Sequence, residues 1–327
     1  MVTMREVAEL AGVSITTVSH VLNSTRAVAP DTRTRVLAAI DVTGYTGDAI
    51  ARSLVTGGTK SIGVAMPLDP HPTVGQLIQA IEQETARAGY AMVLTDTHDE
   101  PDAERLAVRT LRSRRVDGVI LAPSPGADAA VLPELRKLAL PTVLVDRLSA
   151  SQDVDQIGPE NVQAISTLVR HLAEHGHRRI GMVSGPADLA TNSERVLGYR
   201  LGLGRAGLTW DESLVGYQES ADVAALLDRP DPPTALIAGS DPVLAGLLRT
   251  VRTRGLRVGA DLAVVAFGEV EWADLVDPAI TTMAPPITDI GQSAVRMLLD
   301  RIGDPELPAR STRLPPTLLA RQSCGCP

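Results

Sequence analysis

Residues 3–23 read Thr3-Met4-Arg5-Glu6-Val7-Ala8-Glu9-Leu10-Ala11-Gly12-Val13-Ser14-Ile15-Thr16-Thr17-Val18-Ser19-His20-Val21-Leu22-Asn23. Their punctuation predicts two short helices about a tight turn. Thr3 and Glu6 have the T-x-x-E spacing of a capping box. Val7, Ala8 and Ala11 fall on one side of the first helix. Gly12 supplies the turn, Val13 plugs the core beneath it, and Ser14 caps a second helix over about 15–22. There Val18, Val21 and Leu22 face inward, while Ile15, Thr16, Ser19 and His20 face outward. Pro30 suits the first turn of a third helix, with Val36, Leu37 and Ile40 as its apolar stripe and Gly44 at its end. Two helices on a glycine turn with a supporting third suit a helix-turn-helix, whose second helix can enter the major groove. By themselves the same residues also describe a plain three-helix cap.

Charge and composition frame the rest. The 327 residues carry a formal charge of -8 and 44% hydrophobic residues, with two Trp, four Tyr and one Phe. The core must therefore be aliphatic, and a site that stacks flat rings has few aromatic faces to draw on. Residues 1–60 are near +1 and the remainder near -9, so a polyanion would prefer the first segment. No apolar run reaches a membrane-spanning length, and no signal peptide is visible. Cys324 and Cys326 are the two cysteines, which leaves no disulfide framework and fits a reducing cytoplasm.

The residues from Met4 to Ser14, then Thr17-Val18-Ser19-His20-Val21-Leu22-Asn23 and Thr32-Arg33 through Gly44-Tyr45, closely resemble the LacI-type repressors. Ala51-Arg52-Ser53-Leu54 followed by Thr56-Gly57-Gly58-Thr59 resembles that family's hinge, and the resemblance continues across nearly the whole chain. It implies base reading by Ile15, Thr16 and His20, and phosphate contacts from Ser14, Ser19, Asn23 and Thr32. His20 stands where the family usually has Arg. Neutral His offers one donor where Arg offers guanine two, which predicts an altered or relaxed base preference. The hinge segment is too short to hold a stable helix alone. The resemblance implies that it folds on operator DNA, with Leu54 wedged into the minor groove beside Ala51. Gly47-Asp48 replaces the usual Pro-Asn, which points to weaker intrinsic operator affinity.

From residue 61 apolar strands alternate with amphipathic helices. Strands are expected at 61–65, 91–95, 118–121, 141–145, 179–184, 234–238, 262–267 and 280–283. Such alternation argues for parallel sheets covered by helices, in two groups of about four strands. The expected fold class is α/β: a two-lobed periplasmic-binding-protein-like core behind an N-terminal all-α helix-turn-helix domain and hinge helix. Expected boundaries are 1–46 for the DNA-binding domain, 47–60 for hinge and linker, and 61–327 for the effector-binding and dimerisation core. Within that core, lobe 1 takes about 61–157 plus 287–327, and lobe 2 about 158–286.

The resemblance places an effector between the lobes, at the carboxyl ends of the strands, and implies that lobe closure alters the spacing of two DNA heads in a dimer. Expected ligand-reading residues are Asp69, Thr73, Asp146, Arg195, Ser240, Gly268 and Trp272. Arg195 matches the family's effector-binding arginine. Ser240-Asp241 replaces Asn-Asp, and the serine can still cap the following helix. In Val265-Ala266-Phe267-Gly268-Glu269, Gly268 removes a carboxylate that commonly accepts from sugar hydroxyls, and Glu269 replaces the next one. Asp69-Pro70-His71-Pro72-Thr73-Val74 lacks an aromatic pair. Together these departures predict an unusual effector, a sugar or an anionic metabolite, gripped by charge and hydrogen bonds, with Trp272 as the aromatic nearest to it.

No catalytic residue, metal site or cofactor is expected. His171, His175 and His177 cluster, but Gly176 breaks the helix between them, and the Cys324/Cys326 tail reads as a bystander. The expected function is a cytoplasmic, homodimeric repressor on palindromic operator DNA, controlled by a small molecule and not attached to a membrane. A regulator with a protein co-effector or none, a stand-alone solute-binding protein and an α/β enzyme are the rivals.

Overall fold

The computed structural model describes residues 2–23, 26–45, 58–68, 72–149, 153–185, 188–217 and 219–325. The chain forms two compact units, Met1–Lys60 and Ser61–Pro327.

In the first unit, α1 (Met4–Ala11), α2 (Ile15–Asn23) and α3 (Pro30–Thr43) enclose a small core of Val7, Ala8, Ala11, Val18, Val21, Val36, Ala39 and Tyr45. The expected Leu37 is 45% exposed. Val36, Ala39 and Ile40 already share one helical face, and the 100° step to residue 37 turns it towards water. The expected hinge helix lies outside the described residues.

The second unit continues with β1 (Ser61–Met66), α4 (Pro72–Arg87), β2 (Ala91–Asp96), α5 (Pro101–Ser113), β3 (Gly118–Leu121), α6 (Ala127–Ala130), α7 (Leu132–Lys137), β4 (Thr142–Val145) and β5 (Asp155–Pro159). Then follow α8 (Val162–Glu174), β6 (Ile180–Val183), α9 (Ala190–Arg205), β7 (Val215–Gly216), α10 (Glu219–Leu227), β8 (Ala235–Ala238), α11 (Asp241–Thr253), β9 (Ala263–Phe267) and β10 (Thr281–Ala284). The last elements are α12 (Ile287–Gly303), β11 (Ser311–Leu314) and β12 (Thr317–Leu319).

Among the described residues the strands form two six-stranded sheets, ordered β11-β5-β4-β3-β1-β2 and β12-β10-β9-β8-β6-β7. All pairings are parallel except that of β12 with β10. Side chains alternate across each sheet, so both faces are packed. In β1, Ile62, Val64 and Met66 enter one core while Ala65 enters another. In β8, Ala235 and Ile237 face one side while Leu236 and Ala238 face the other.

The chain passes between the lobes three times, through Glu160-Asn161, Pro285-Pro286 and Pro315-Pro316. Two differences from expectation follow. Lobe 1 keeps β5 through Pro159, a strand without an apolar run. Its buried Asp155 is matched by Arg301 Nε at 3.0 Å and by the Arg310 backbone N–H at 2.8 Å. Residues from 317 onward, expected in lobe 1, belong to lobe 2 instead. β12 covers the open edge of β10, and buried Ser323 donates to Val264 O at 2.6 Å and accepts from Thr281 N at 2.7 Å. Cys324 is buried in the same core, so it is a packed residue rather than a bystander, while Cys326 lies outside the described residues.

Candidate functional site

In the first unit the reciprocal capping box is present. Glu6 Oε2 accepts from Thr3 N at 2.6 Å, and Thr3 Oγ1 accepts from Glu6 N at 3.4 Å. The Thr3 backbone N–H, then its hydroxyl, hold the Glu6 carboxyl below its ordinary range. Gly12 leaves α1 at φ 64°. Ser14 Oγ accepts from Thr17 N at 3.1 Å, and the two hydroxyls are 2.8 Å apart. Ser14 thus starts α2, and Ile15 and Thr16 occupy its first turn, both exposed. Ile15 is 49% exposed although a packed core lies beneath it. An apolar side chain beside a hydroxyl at a helix N-terminus suits a thymine methyl and a base edge. Ser19 and His20 are half-buried one turn on, each with further contacts, and Thr32 is half-buried in the first turn of α3. The side chain of Asn23, and Ala51, Leu54 and Asp69 altogether, lie outside the described residues.

In the second unit the carboxyl ends of the two sheets face one cavity of 320 Å³. Thr73, Asp146, Arg195, Ser240 and Gly268 all line it, together with Asp99, Arg147, Asn192, Asp241 and Phe267.

Arg195 is the most constrained of these. Gly198 and Gly202 let α9 approach α8 closely: a Cβ on Gly202 would stand 2.8 Å from Val169 Cβ, and one on Gly198 would strike Val162 O. That packing fixes the turn bearing Arg195. Its Nε donates to Asn161 Oδ1 at 3.0 Å, and its Nη1 donates to Gly239 O at 2.8 Å and Asn192 Oδ1 at 3.4 Å. The guanidinium lies 4.2 Å from the centre of the Phe267 ring, a cation–π arrangement. Among the described residues these bonds engage Nε and Nη1. Burial draws Arg195 down to about 10, against the opposing pull of Asp146, Asp241 and Glu194, so it stays a cation at neutral pH.

From Arg195 the bonding continues out of the cavity. Asn161 Nδ2 donates to Glu194 Oε2 at 2.7 Å, and Arg313 Nη2 of β11 donates to Glu194 Oε1 at 2.9 Å. The cavity arginine is thereby joined to the first interlobe passage at Asn161 and to β11, the strand that leads into the third.

Asp146 follows β4 at φ 62°, a left-handed turn that Asp tolerates better than most residues. Arg147 beside it forms an ion pair with Asp99. Behind that pair, buried Glu104 Oε2 accepts from Ser124 N at 2.5 Å. Among the described residues Glu104 Oε1, Ser124 Oγ and Thr97 Oγ1 have no hydrogen-bond partner. Burial raises the Glu104 carboxyl, against the Ser124 backbone N–H that lowers it.

Thr73 Oγ1 of lobe 1 donates to Asp241 Oδ2 of lobe 2 at 2.7 Å. Asp241 also lies over Gly268: a Cβ there would collide with Asp241 Oδ1. Sequence reasoning saw that Gly268 removes a carboxylate but missed that Asp241 fills the vacated space. Ser240 makes no side-chain cap to α11, contrary to expectation, and its hydroxyl lines the cavity. Glu269 points its carboxylate at Arg321, at 2.6 and 3.2 Å.

Trp272 does not line the cavity. Its neighbours Val270 and Ala273 are buried in the outer core of lobe 2 and carry it there. Phe267 is the cavity aromatic instead, and its place at the last position of β9 was the available signal. The histidines are structural: His175 Nδ1 is 2.7 Å from His171 O, and His177 Nδ1 is 3.0 Å from Thr234 Oγ1. Among the described residues no group of three or more His, Cys, Asp or Glu could hold a metal, and no helix is long and apolar enough to cross a membrane.

Residues 3–48 match the family described as bacterial regulatory proteins, lacI family, and residues 169–324 match the periplasmic binding protein-like domain. The chain is 33% identical over 330 residues to the HTH-type transcriptional repressor PurR of Photobacterium profundum, covering 99% of this chain and 98% of that one. It is 31% identical over 332 residues to the ribose operon repressor of Escherichia coli, covering 99% and 100%. Among solved structures, the lac repressor dimer bound to operator and the anti-inducer ONPF matches with a TM-score of 0.88 at 26% identity, covering 99% of each chain. These relatives are repressors rather than enzymes.

Proposed function

The chain belongs to the LacI family of bacterial regulatory proteins, a DNA-binding transcriptional regulator with an effector-binding domain, and from that premise we propose how it is controlled: a neutral polyhydroxylated molecule binds the interlobe cavity and alters operator affinity. The observation that carries the ligand class is the balance of charge around Arg195. Arg195 lines a cavity that also holds the carboxylates of Asp146 and Asp241, while Arg147 and Asp99 neutralise each other. Hydroxyls can accept from the guanidinium and donate to the carboxylates at once. A phosphate or carboxylate can accept from Arg195 but meets two like charges. The expectation of an anionic effector rested on the loss of a carboxylate at Gly268, but the carboxylate of Asp241 occupies the space that side chain would fill and keeps a negative group there.

At the operator, Ile15, Thr16 and His20 read bases while Ser14, Ser19, Asn23 and Thr32 set register on phosphates, with Ala51 and Leu54 at the minor groove. The protein acts in the cytoplasm as a homodimer on a palindromic site. The dimeric, operator-bound lac repressor supports this reading, as does the ribose operon repressor for a sugar-like ligand. A gel shift on the protein's own upstream DNA, run at several salt concentrations with and without neutral sugars, tests it. Sequence-specific, salt-sensitive binding that a neutral sugar or polyol changes is expected. Binding changed by phosphorylated or carboxylated metabolites alone overturns the ligand class.

A further inference from the structure

We propose that Asp241 is the specificity-determining acceptor of this cavity, reading a hydroxyl of the effector from the first turn of α11, and that Gly268 is what admits it there. The inference rests on the reading of the cavity as the effector site.

Three observations carry it. First, Gly268 directly follows β9 at φ 111°, a conformation that residues with a Cβ rarely adopt. Its missing side chain is the space that Asp241 Oδ1 occupies. The carboxylate and the glycine are one fitted pair, so the acceptor comes from the helix start rather than from the strand end. Second, Asp241 stands within the same charge field as Arg195 and Asp146. A carboxylate on one side and a guanidinium on the other suit a hydroxyl, which donates to the first and accepts from the second; charge-assisted bonds of this kind are the stronger ones. Third, the opposite oxygen of Asp241 accepts from Thr73 in lobe 1 at 2.7 Å. The group that reads the ligand therefore also bridges the lobes, so ligand chemistry and lobe closure meet at one carboxylate. A carboxylate at the first helical position is further favoured by the positive end of the helix.

Isothermal titration of the full-length protein tests this, using D-ribose, a set of other neutral pentoses and hexoses, and D-ribose 5-phosphate, on wild type, R195K and D241N. The D241N substitution keeps the size of the side chain and an oxygen for Thr73 but loses the charge and one acceptor, and thermal unfolding checks that the variant folds. The expected result is neutral-sugar binding by wild type, weakened about tenfold or more in both variants with the unfolding temperature of D241N unchanged; hydrogen bonds to charged groups have this worth. Wild-type affinity in D241N together with loss in R195K overturns the role of Asp241 and leaves the cavity reading standing. Unchanged binding in both variants, binding of D-ribose 5-phosphate alone, or no binding of any neutral sugar by wild type overturns the cavity reading and this inference with it.

Discussion

Thr73 Oγ1 donates to Asp241 Oδ2 at 2.7 Å, a bond between residues 168 apart in sequence that joins lobe 1 to lobe 2. A single hydrogen bond contributes about 1 kcal/mol net, enough to bias two lobes that pack separately. T73V should leave both cores intact, lower the unfolding temperature by no more than about 4 °C, and open the effector-free protein. Small-angle scattering measures this as a larger radius of gyration, and an unchanged radius would show that other contacts hold the lobes.

Glu104 gives a pH dependence with a definite sign. Its folded-state affinity for a proton is raised, chiefly by burial. Its contribution to stability is therefore whole below the ordinary carboxylate range and is lost as pH climbs through the raised value. E104Q, which stays neutral, should gain on wild type as pH rises from the ordinary carboxylate range towards neutrality, in thermal unfolding followed by circular dichroism. Parallel curves for the two proteins would contradict the assignment.

The chain of bonds from Arg195 through Asn161 and Glu194 to Arg313 predicts a split between binding and response. E194Q removes the charge that holds Arg313 while leaving Arg195 its bonds to Asn161, Asn192 and Gly239. Effector affinity should stay within about threefold, whereas the effector concentration needed to change operator binding should rise about tenfold, a coupling loss near 1.4 kcal/mol. Titrated gel shifts alongside calorimetry separate the two, and equal changes in both would make Glu194 a simple binding residue.

At the DNA head, His20 is the residue to exchange. Arg can engage guanine O6 and N7 together, a bidentate pair worth about 1–3 kcal/mol of discrimination. H20R should sharpen the preference for guanine at one half-site position by roughly tenfold or more in a guanine-scanned operator series. Identical base profiles for H20R and wild type would remove His20 from readout.

What could be read from the sequence was what neighbouring residues determine. The Thr3–Glu6 box, Gly12 and Ser14 act within a turn, and the strands with continuous apolar runs, such as β3 and β9, declare themselves. β5 did not, because its burial depends on Arg301, which meets Asp155 from 146 positions away. The cavity divided in the same way. Asp146, Ser240 and Gly268 stand at the ends of legible elements, Arg195 lies within α9 and was marked by the family resemblance, and all four line it. The fit of Asp241 into the space above Gly268, and of Phe267 beneath Arg195, is a relation between separate elements that no local pattern encodes. Trp272 was misplaced for the same reason: a loop after a strand can turn outward, and Val270 and Ala273 show that this one does.

The late return of the chain to both lobes sets an order of events during synthesis. Lobe 1 lacks α12 and β11, and lobe 2 lacks β12, until the residues beyond 286 have emerged. A ribosome that has translated most of the chain therefore carries two unfinished sheets at once, with β5 and β10 still unpaired along one side. Bare strands of this kind pair readily with other chains. The nascent protein is most exposed to chaperone capture and to misassembly with its neighbours on the polysome just before the last strand closes the sheet.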